Sequence, residues 1–244
     1  MTCRIWSVLF GVARNDTDHA YEQWFDLDTL DAAHLSEQPQ AAYREFLNRA
    51  QQILAEKFTV GTNVVELIHA RSWVVDQVLT RCWKPALGGF HGALVAVGGY
   101  GRRELMPGSD VDIMLLLAET EDSQTGARLE AFLTLLWDIG LEVGHSVRTL
   151  QECHDQARDD ITVATNLMEA RLIYGPKTLF QEMCERIGPD QIWPSPAFFE
   201  AKLKEQRNRY ARFDDAVYNL EPNVKEGPGG LRDGWHGSVR AGHR

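Results

Sequence analysis

Asp110 and Asp112 stand two residues apart at the head of an apolar run, Val111 to Leu117, inside the tract Leu94-Val-Ala-Val-Gly-Gly-Tyr-Gly-Arg-Arg-Glu-Leu-Met-Pro-Gly-Ser-Asp-Val-Asp-Ile-Met-Leu-Leu-Leu117. A strand turns alternate side chains to alternate faces, so both carboxylates point the same way, roughly 7 Å apart along the backbone at about 3.3 Å per residue. Two like charges in one small space disfavour each other's ionisation unless a cation lies between them, which makes the pair a candidate site for a divalent metal. Ahead of them lie Gly98, Gly99 and Gly101. A backbone without Cβ atoms can approach a phosphate closely and aim its N–H groups at it, most effectively where a helix begins near Arg103.

The elements that must hold these residues follow from the flanking pattern. Leu94 to Val97 reads as a short strand, Pro107-Gly108 turns the chain back, and Val111 to Leu117 returns as a second strand. Leu129, Phe132, Leu133 and Leu136 mark a helix that Gly140 stops. Leu141 to Arg148 reads as a third strand with Glu142, Gly144, Ser146 and Arg148 on one polar face. Beside the aspartates, Glu142 either completes a three-carboxylate cluster or is an exposed strand acid. Upstream, Tyr43, Phe46, Leu47, Ala50, Ile53 and Leu54 fall at helical spacing. A second such pattern runs from Val64 to Trp83, until Pro85 and Gly88-Gly89 end it. Downstream, residues 153–187 read as two helical stretches around Gly175-Pro176, with Leu172 and Ile173 among the candidate core. Ser195-Pro196 then opens a helix with a stripe of Phe199, Leu203, Gln206, Tyr210 and Phe213. Residues 1–40 carry loop formers and no clean period.

Composition bounds the function. The chain has 244 residues, 44% hydrophobic content, and 25 Lys/Arg against 35 Asp/Glu for a net charge of −10. That balance argues against general affinity for a nucleic-acid backbone. Residues 201–244 reverse it, with nine Lys/Arg against six Asp/Glu; this basic stretch either serves an anionic substrate or is a solvated helix face. No apolar run approaches the ~20 residues that cross a bilayer, and no secretory leader is evident, so a cytoplasmic protein off the membrane is expected. Cys3, Cys82, Cys153 and Cys184 are widely separated, as reduced packing thiols are.

A glycine turn followed about ten residues later by Ser-Asp-x-Asp resembles the nucleotidyltransferase superfamily. Four blocks in order resemble one member family, the bacterial PII uridylyltransferases, also called bifunctional uridylyltransferase/uridylyl-removing enzymes. They are Gly98 to Arg102 with Glu104-Leu105 and Ser109 to Asp112, Leu141 to Thr149, Asp160 to Asn166, and Asn223 to Asp233. The resemblance implies an α/β fold: a nucleotidyltransferase-type mixed sheet, with N-terminal helices and a following helical subdomain. The divisions are a helical lead-in over 1–88, a core over 89–152 and a helical subdomain over 153–244. It also implies transfer of UMP from UTP to a tyrosine of the PII nitrogen-signalling protein, with Mg2+ and release of pyrophosphate. Asp110 and Asp112 would be the metal ligands and Glu142 a third catalytic carboxylate. Gly98, Gly99, Arg102, Ser109, Lys225 and Arg232 would contact the nucleotide.

The departures are specific. Where the family usually reads Gly-Arg-Gly-Glu, this chain has Arg102-Arg103-Glu104, setting a bulky cation where the backbone folds closely. The resemblance ends at Asp233, and the family's phosphohydrolase and regulatory domains do not follow. That makes the chain a truncated piece expected to act in one direction only. His154-Asp155 lacks further spaced ligands and reads as a surface pair. Two other readings stand beside this one: a nucleotidyltransferase acting on another protein or a small molecule, and a nucleotide-binding fragment without turnover.

Overall fold

Apolar residues on both faces of two adjacent strands set the architecture. In the computed structural model, which describes residues 21–33, 35–87, 90–118, 123–188, 191–212, 227–230 and 233, β1 (Gly92–Ala96) is buried throughout. It pairs antiparallel with β2 (Val111–Leu117), from Gly92 opposite Leu117 to Ala96 opposite Ile113. On the far side of β2, β3 (Val143–Thr149) runs parallel to it, Val111 opposite Val143 through Leu117 opposite Thr149. A fourth strand, β4 (Arg171–Tyr174), joins the free edge of β1 antiparallel, giving the order β3-β2-β1-β4. The sheet is therefore small and mixed, as expected.

Strands buried on both faces need helices on both. One face carries Leu94, Ala96, Ile113 and Leu115 into a core shared with α1 (Leu27–Ala33), α2 (Pro39–Thr59), α3 (Val64–Leu87) and, past the turn α4 (Gly98–Gly101), α5 (Ser123–Asp138). The opposite face carries Ala93, Val95, Met114 and Leu116 against α6 (Leu150–Asp159), α7 (Ile161–Met168) and α8 (Lys177–Arg186). A last helix, α9 (Ser195–Ala211), packs on α7. The junctions on the second face are capped by their own sequence. Thr149 and Glu152 form a reciprocal capping box at α6, and the Asp160 carboxylate accepts from Thr162 N at 2.7 Å to open α7.

Two expectations are corrected. Pro85 does not end α3, which continues to Leu87 with the proline inside its final turns. Leu172 and Ile173 belong to β4 and not to a helix, because Gly175 and Pro176 confine a four-residue run that the edge of β1 pairs. On α9 the buried positions are Phe198 and Arg209; of the stripe, Phe199 is 43% exposed while Leu203, Gln206 and Tyr210 are half-buried. Phe213 lies outside the described residues, as does Cys3; Cys82 and Cys153 are buried free thiols, as expected of packing residues.

A buried ionic knot joins the two halves. Asp76 of α3, Arg171 of β4 and Tyr100 of α4 are all buried. Arg171 donates to both Asp76 oxygens, at 2.7 and 3.0 Å, and to the carbonyls of Tyr100 and Gly101, both at 3.3 Å. The Tyr100 hydroxyl donates to Asp76 Oδ1 at 2.5 Å. Burial opposes the charge on Arg171, but Asp76 and Tyr100 outweigh it and hold the guanidinium protonated. Burial, then the Asp76 charge, push the Tyr100 phenol well above its ordinary range.

Near the end of the described chain, Asp233 binds α9. It accepts from Arg209 at 2.8 Å, from Gln206 at 3.2 Å, from the Tyr210 hydroxyl and from Gly229 N at 2.7 Å. Burial raises its pKa, and these bonds together outweigh that and lower it from 3.8 to about 2.

Two predictions follow from these contacts. Arg171→Met leaves the Asp76 carboxylate buried without its cation and should cost about 3–5 kcal/mol in urea unfolding; replacing both partners by apolar residues should recover much of the loss. A single replacement as mild as a surface substitution would refute the role given to the knot. For Asp233 the depressed folded pKa means that its stabilisation is complete above the unfolded value of 3.8 and is lost as pH falls through about 2. The stability gap between the wild type and Asp233→Asn should therefore close over that acid window.

Candidate functional site

The second core ends where β2 changes character. Leu116 and Met114 are buried against α6 to α8, and the next residues on the same face are Asp112, then Asp110, both exposed. They open onto a cleft of about 690 Å3 whose floor is the β2–β3 end of the sheet. Gly98, Gly99 and Arg102 contribute from the glycine turn, Ser109 from the approach to β2, and Gly144, Ser146 and Arg148 from β3. Thr165 and Asn166 of α7 and Lys202 and Glu205 of α9 form the opposite wall.

The glycine tract is a single helical turn at the end of β1. Val97 N donates to the carbonyl of Asp112 at 3.0 Å, tying the turn to β2. Gly98 then takes φ +58, a conformation that side chains disfavour. Gly101 N, Arg102 N and Glu104 N close the turn onto Val97, Gly98 and Gly99 carbonyls. The helix starts at Gly98 and not near Arg103, as the sequence suggested. Arg103 follows it with φ 64, the one positive value at a non-glycine position among the described residues. Its side chain is not part of the cleft lining, so the unusual arginine strains the backbone where an obstructed phosphate approach was expected.

The three carboxylates do not converge. Among the described residues no group of three or more His, Cys, Asp or Glu is placed to hold a metal. Glu142 precedes β3, is exposed and lies outside the cleft lining; its carbonyl accepts from Val111 N at 2.7 Å, which sets it level with Asp110 at the outer end of the ladder. The two aspartates alone suit Mg2+, which keeps several waters and takes one or two carboxylates plus substrate phosphates in preference to a closed protein cage.

Arg102 reaches the cleft but is held by acids. Its Nε donates to Glu104 Oε2 at 2.9 Å and its Nη1 to Glu169 Oε2 at 2.5 Å. Glu169 is buried; burial raises its pKa and Arg102 opposes that rise. Lys202 pairs with Glu205 at 3.3 Å. Arg148 makes no hydrogen bond or ion pair among the described residues. The sequence had marked Arg148 on the polar face of its strand. Lys202 lies in the basic stretch 201–244 that the sequence marked, whereas Glu169 and Glu205 had no signal of their own, because packing brings α7 and α9 to the sheet. Lys225 and Arg232 lie outside the described residues. His154-Asp155 is a surface pair, its ring nitrogen 3.2 Å from a carboxylate that also accepts from Gln151.

Comparison with known proteins bears on this geometry. Residues 48–147, which contain the glycine turn, both aspartates and most of β3, match the family model described as "Putative nucleotidyltransferase DUF294". Residues 197–234, containing most of α9 and Asp233, match the model described as "GlnD PII-uridylyltransferase". The chain is 51% identical over 201 residues to the bifunctional uridylyltransferase/uridylyl-removing enzyme of Stutzerimonas stutzeri, covering 82% of this chain and 22% of that one. It is 49% identical, with the same coverage, to the protein of that name from Pseudomonas aeruginosa. Against the one from Nitrosococcus oceani it is 46% identical over 221 residues, 88% of this chain and 23% of the other. The chain thus spans somewhat over a fifth of the length of these relatives.

Arg103→Gly tests the strain reading. Left-handed backbone costs an L residue roughly 1–2 kcal/mol, so the glycine variant should gain about 1 kcal/mol, or about 2–4 °C in thermal midpoint. Because the arginine does not line the cleft, nucleotide affinity should stay within about twofold. A loss of stability, or a large change in affinity, would return Arg103 to the site.

Proposed function

The chain is homologous to one stretch of the bifunctional uridylyltransferase/uridylyl-removing enzymes, and on that premise we propose that its cleft transfers UMP from UTP to a tyrosine hydroxyl of a PII nitrogen-regulatory protein in the cytoplasm, releasing pyrophosphate. The observation that carries this reading is the placement of the Asp112 carboxylate against the glycine turn, with Asp110 on the same cleft. The choice of uridine and of PII as acceptor rests on kinship. No helix among the described residues is long and apolar enough to cross a membrane.

In this reading Asp110 and Asp112 hold magnesium, with Glu142 an outlying acid level with Asp110. The bound ion would neutralise triphosphate charge and lower the pKa of the attacking hydroxyl. The protein's part is placement. Gly98 and Gly99 let the backbone close on the phosphates, and Ser109 lies between that turn and the aspartates. Arg102 keeps the turn's exit fixed between Glu104 and Glu169, so its effect on phosphate passes through the turn. Lys225 and Arg232, outside the described residues, complete the proposed nucleotide contacts. The tyrosine oxygen forms the new bond to the α-phosphorus as the bond to the β-phosphate oxygen breaks. Pyrophosphate departs, and the phenolic proton is lost to solvent across the open mouth. Little covalent chemistry is asked of side chains in such a transfer, so orientation and charge stabilisation supply most of the rate.

Label transfer from α-labelled UTP to purified PII protein, with ATP run in parallel, tests the assignment. Asp110→Asn and Asp112→Asn should each lower transfer at least ~100-fold while the thermal midpoint holds or rises slightly, since a repulsion is relieved. Glu142→Gln should stay within about threefold, as its position outside the cleft lining implies. Undiminished transfer in either aspartate variant would refute the metal-ligand roles. Transfer from ATP but not UTP would replace uridylylation by adenylylation.

A further inference from the structure

In the parallel ladder between β2 and β3, the residue directly opposite Asp112 is Gly144. A Cβ on Gly144 would stand 2.5 Å from Asp112 Oδ1, well inside the ~3.5–4.0 Å optimum for non-bonded heavy atoms. The other oxygen, Oδ2, lies 3.5 Å from where a Cβ on Gly98 would be. The Asp112 side chain is therefore seated between two glycines from two elements, lying across β3 with its second oxygen turned toward the glycine turn. The two glycines are there for different reasons. Gly98 has φ +58 and is required by its backbone; Gly144 is not among the residues of positive φ. In an ordinary strand conformation alanine is favoured over glycine by roughly 0.5–1 kcal/mol. Nothing in the backbone of β3 requires a glycine at 144. What requires it is the carboxylate of Asp112.

We propose that Gly144 is a positioning residue for the metal-binding carboxylate: the missing side chain is what lets Asp112 hold the orientation that faces the glycine turn. This rests on the reading of Asp112 as a divalent-cation ligand. A methyl group at 144 does not reach the cation. It forces the Asp112 carboxylate to rotate away, so that its oxygens no longer face the space shared with Gly98. The position opposite Asp112 is consequently closed to any additional ligand from β3, which fits a centre of two aspartates with the remaining coordination left to water and phosphate.

The test joins metal binding to a stability cycle on the full chain. Mn2+ titrated alone, followed by electron paramagnetic resonance, should bind Gly144→Ala about 10–100-fold more weakly than wild type, the range seen when support around a metal ligand is removed. The Mg2+ concentration for half-maximal label transfer should rise in step, with part of kcat regained at saturating Mg2+. Unfolding of Gly144→Ala is then measured in the wild-type and Asp112→Ala backgrounds. The alanine should cost stability only where the aspartate is present, and should be neutral or stabilising where it is not; this comparison holds even if the single variant folds poorly. Equal cost in both backgrounds, or unchanged Mn2+ affinity in a folded Gly144→Ala, overturns the proposal. If wild type binds no Mn2+ while the cycle still shows coupling, the metal reading of Asp112 fails, and with it Gly144's part in metal binding.

Discussion

The glycine turn is held from behind by charge. Three of the four residues in the turn after β1 are glycines, and a turn of that kind keeps one geometry only if its carbonyls are fixed. Arg171 does this by bonding the carbonyls of Tyr100 and Gly101 while its other donors grip Asp76 on the long helix α3. The Tyr100 ring and hydroxyl close the same knot. A buried ion pair adds little net stability over a well-packed apolar substitute, but it costs much to break. Its consequence here is geometric: α3, α4 and β4 share one set of directed bonds, and α3 cannot shift relative to the turn without breaking it.

The same logic governs charge inside the cleft. Asp110, Asp112, Glu104, Glu169 and Glu205 line it or its rim, against Arg102, Lys202 and Arg148. Arg102 is divided between two glutamates and Lys202 is paired with a third. The two aspartates lie on the same cleft as Arg148, which stands further along β3. A bare triphosphate meets repulsion there, whereas a triphosphate complexed to a divalent cation meets attraction. On the proposed reading, this arrangement suits a metal-bound nucleotide better than a bare one, in keeping with the acidic character of the chain.

Much of this was legible from local pattern. The paired aspartates at the mouth of an apolar run, the glycines before them and the polar face of Gly144, Ser146 and Arg148 are all local, and the strand period places them correctly. What failed was non-local or too short. β4 is four residues long, and its apolar pair continues the spacing of Leu167 and Met168, so only pairing with β1 makes it a strand. The partners Glu169 and Lys202 reach the cleft through packing of the downstream helices, which local pattern does not show. Asp76 left a trace, an acid between Val75 and Val78 on an apolar helix face, but its partner lies 95 residues away. Glu142 had two readings from its strand alone, and its exposed position just ahead of β3 follows the second, the strand acid.

The placement of the aspartates is secured by the core and not by the loops around them. Along β2, Val111, Ile113 and Leu115 enter one core while Met114 and Leu116 enter the other, and Asp112 continues the second series at the point where that core stops. Side-chain direction has period two, so a slip of one residue would carry Asp112 into the first core, among Trp73, Val78 and Phe132, and set Ile113 on the cleft floor. Such a slip would bury a charge without a partner, a cost of several kcal/mol, and would expose apolar surface at once. The seven-residue ladder to β3 and the five-residue ladder to β1 are each fixed by the same burial. The metal-ligand role proposed for the pair would need placement to a fraction of an ångström, and the two aspartates inherit their placement from a strand whose other residues, Val111 and Ile113 to Leu117, are buried.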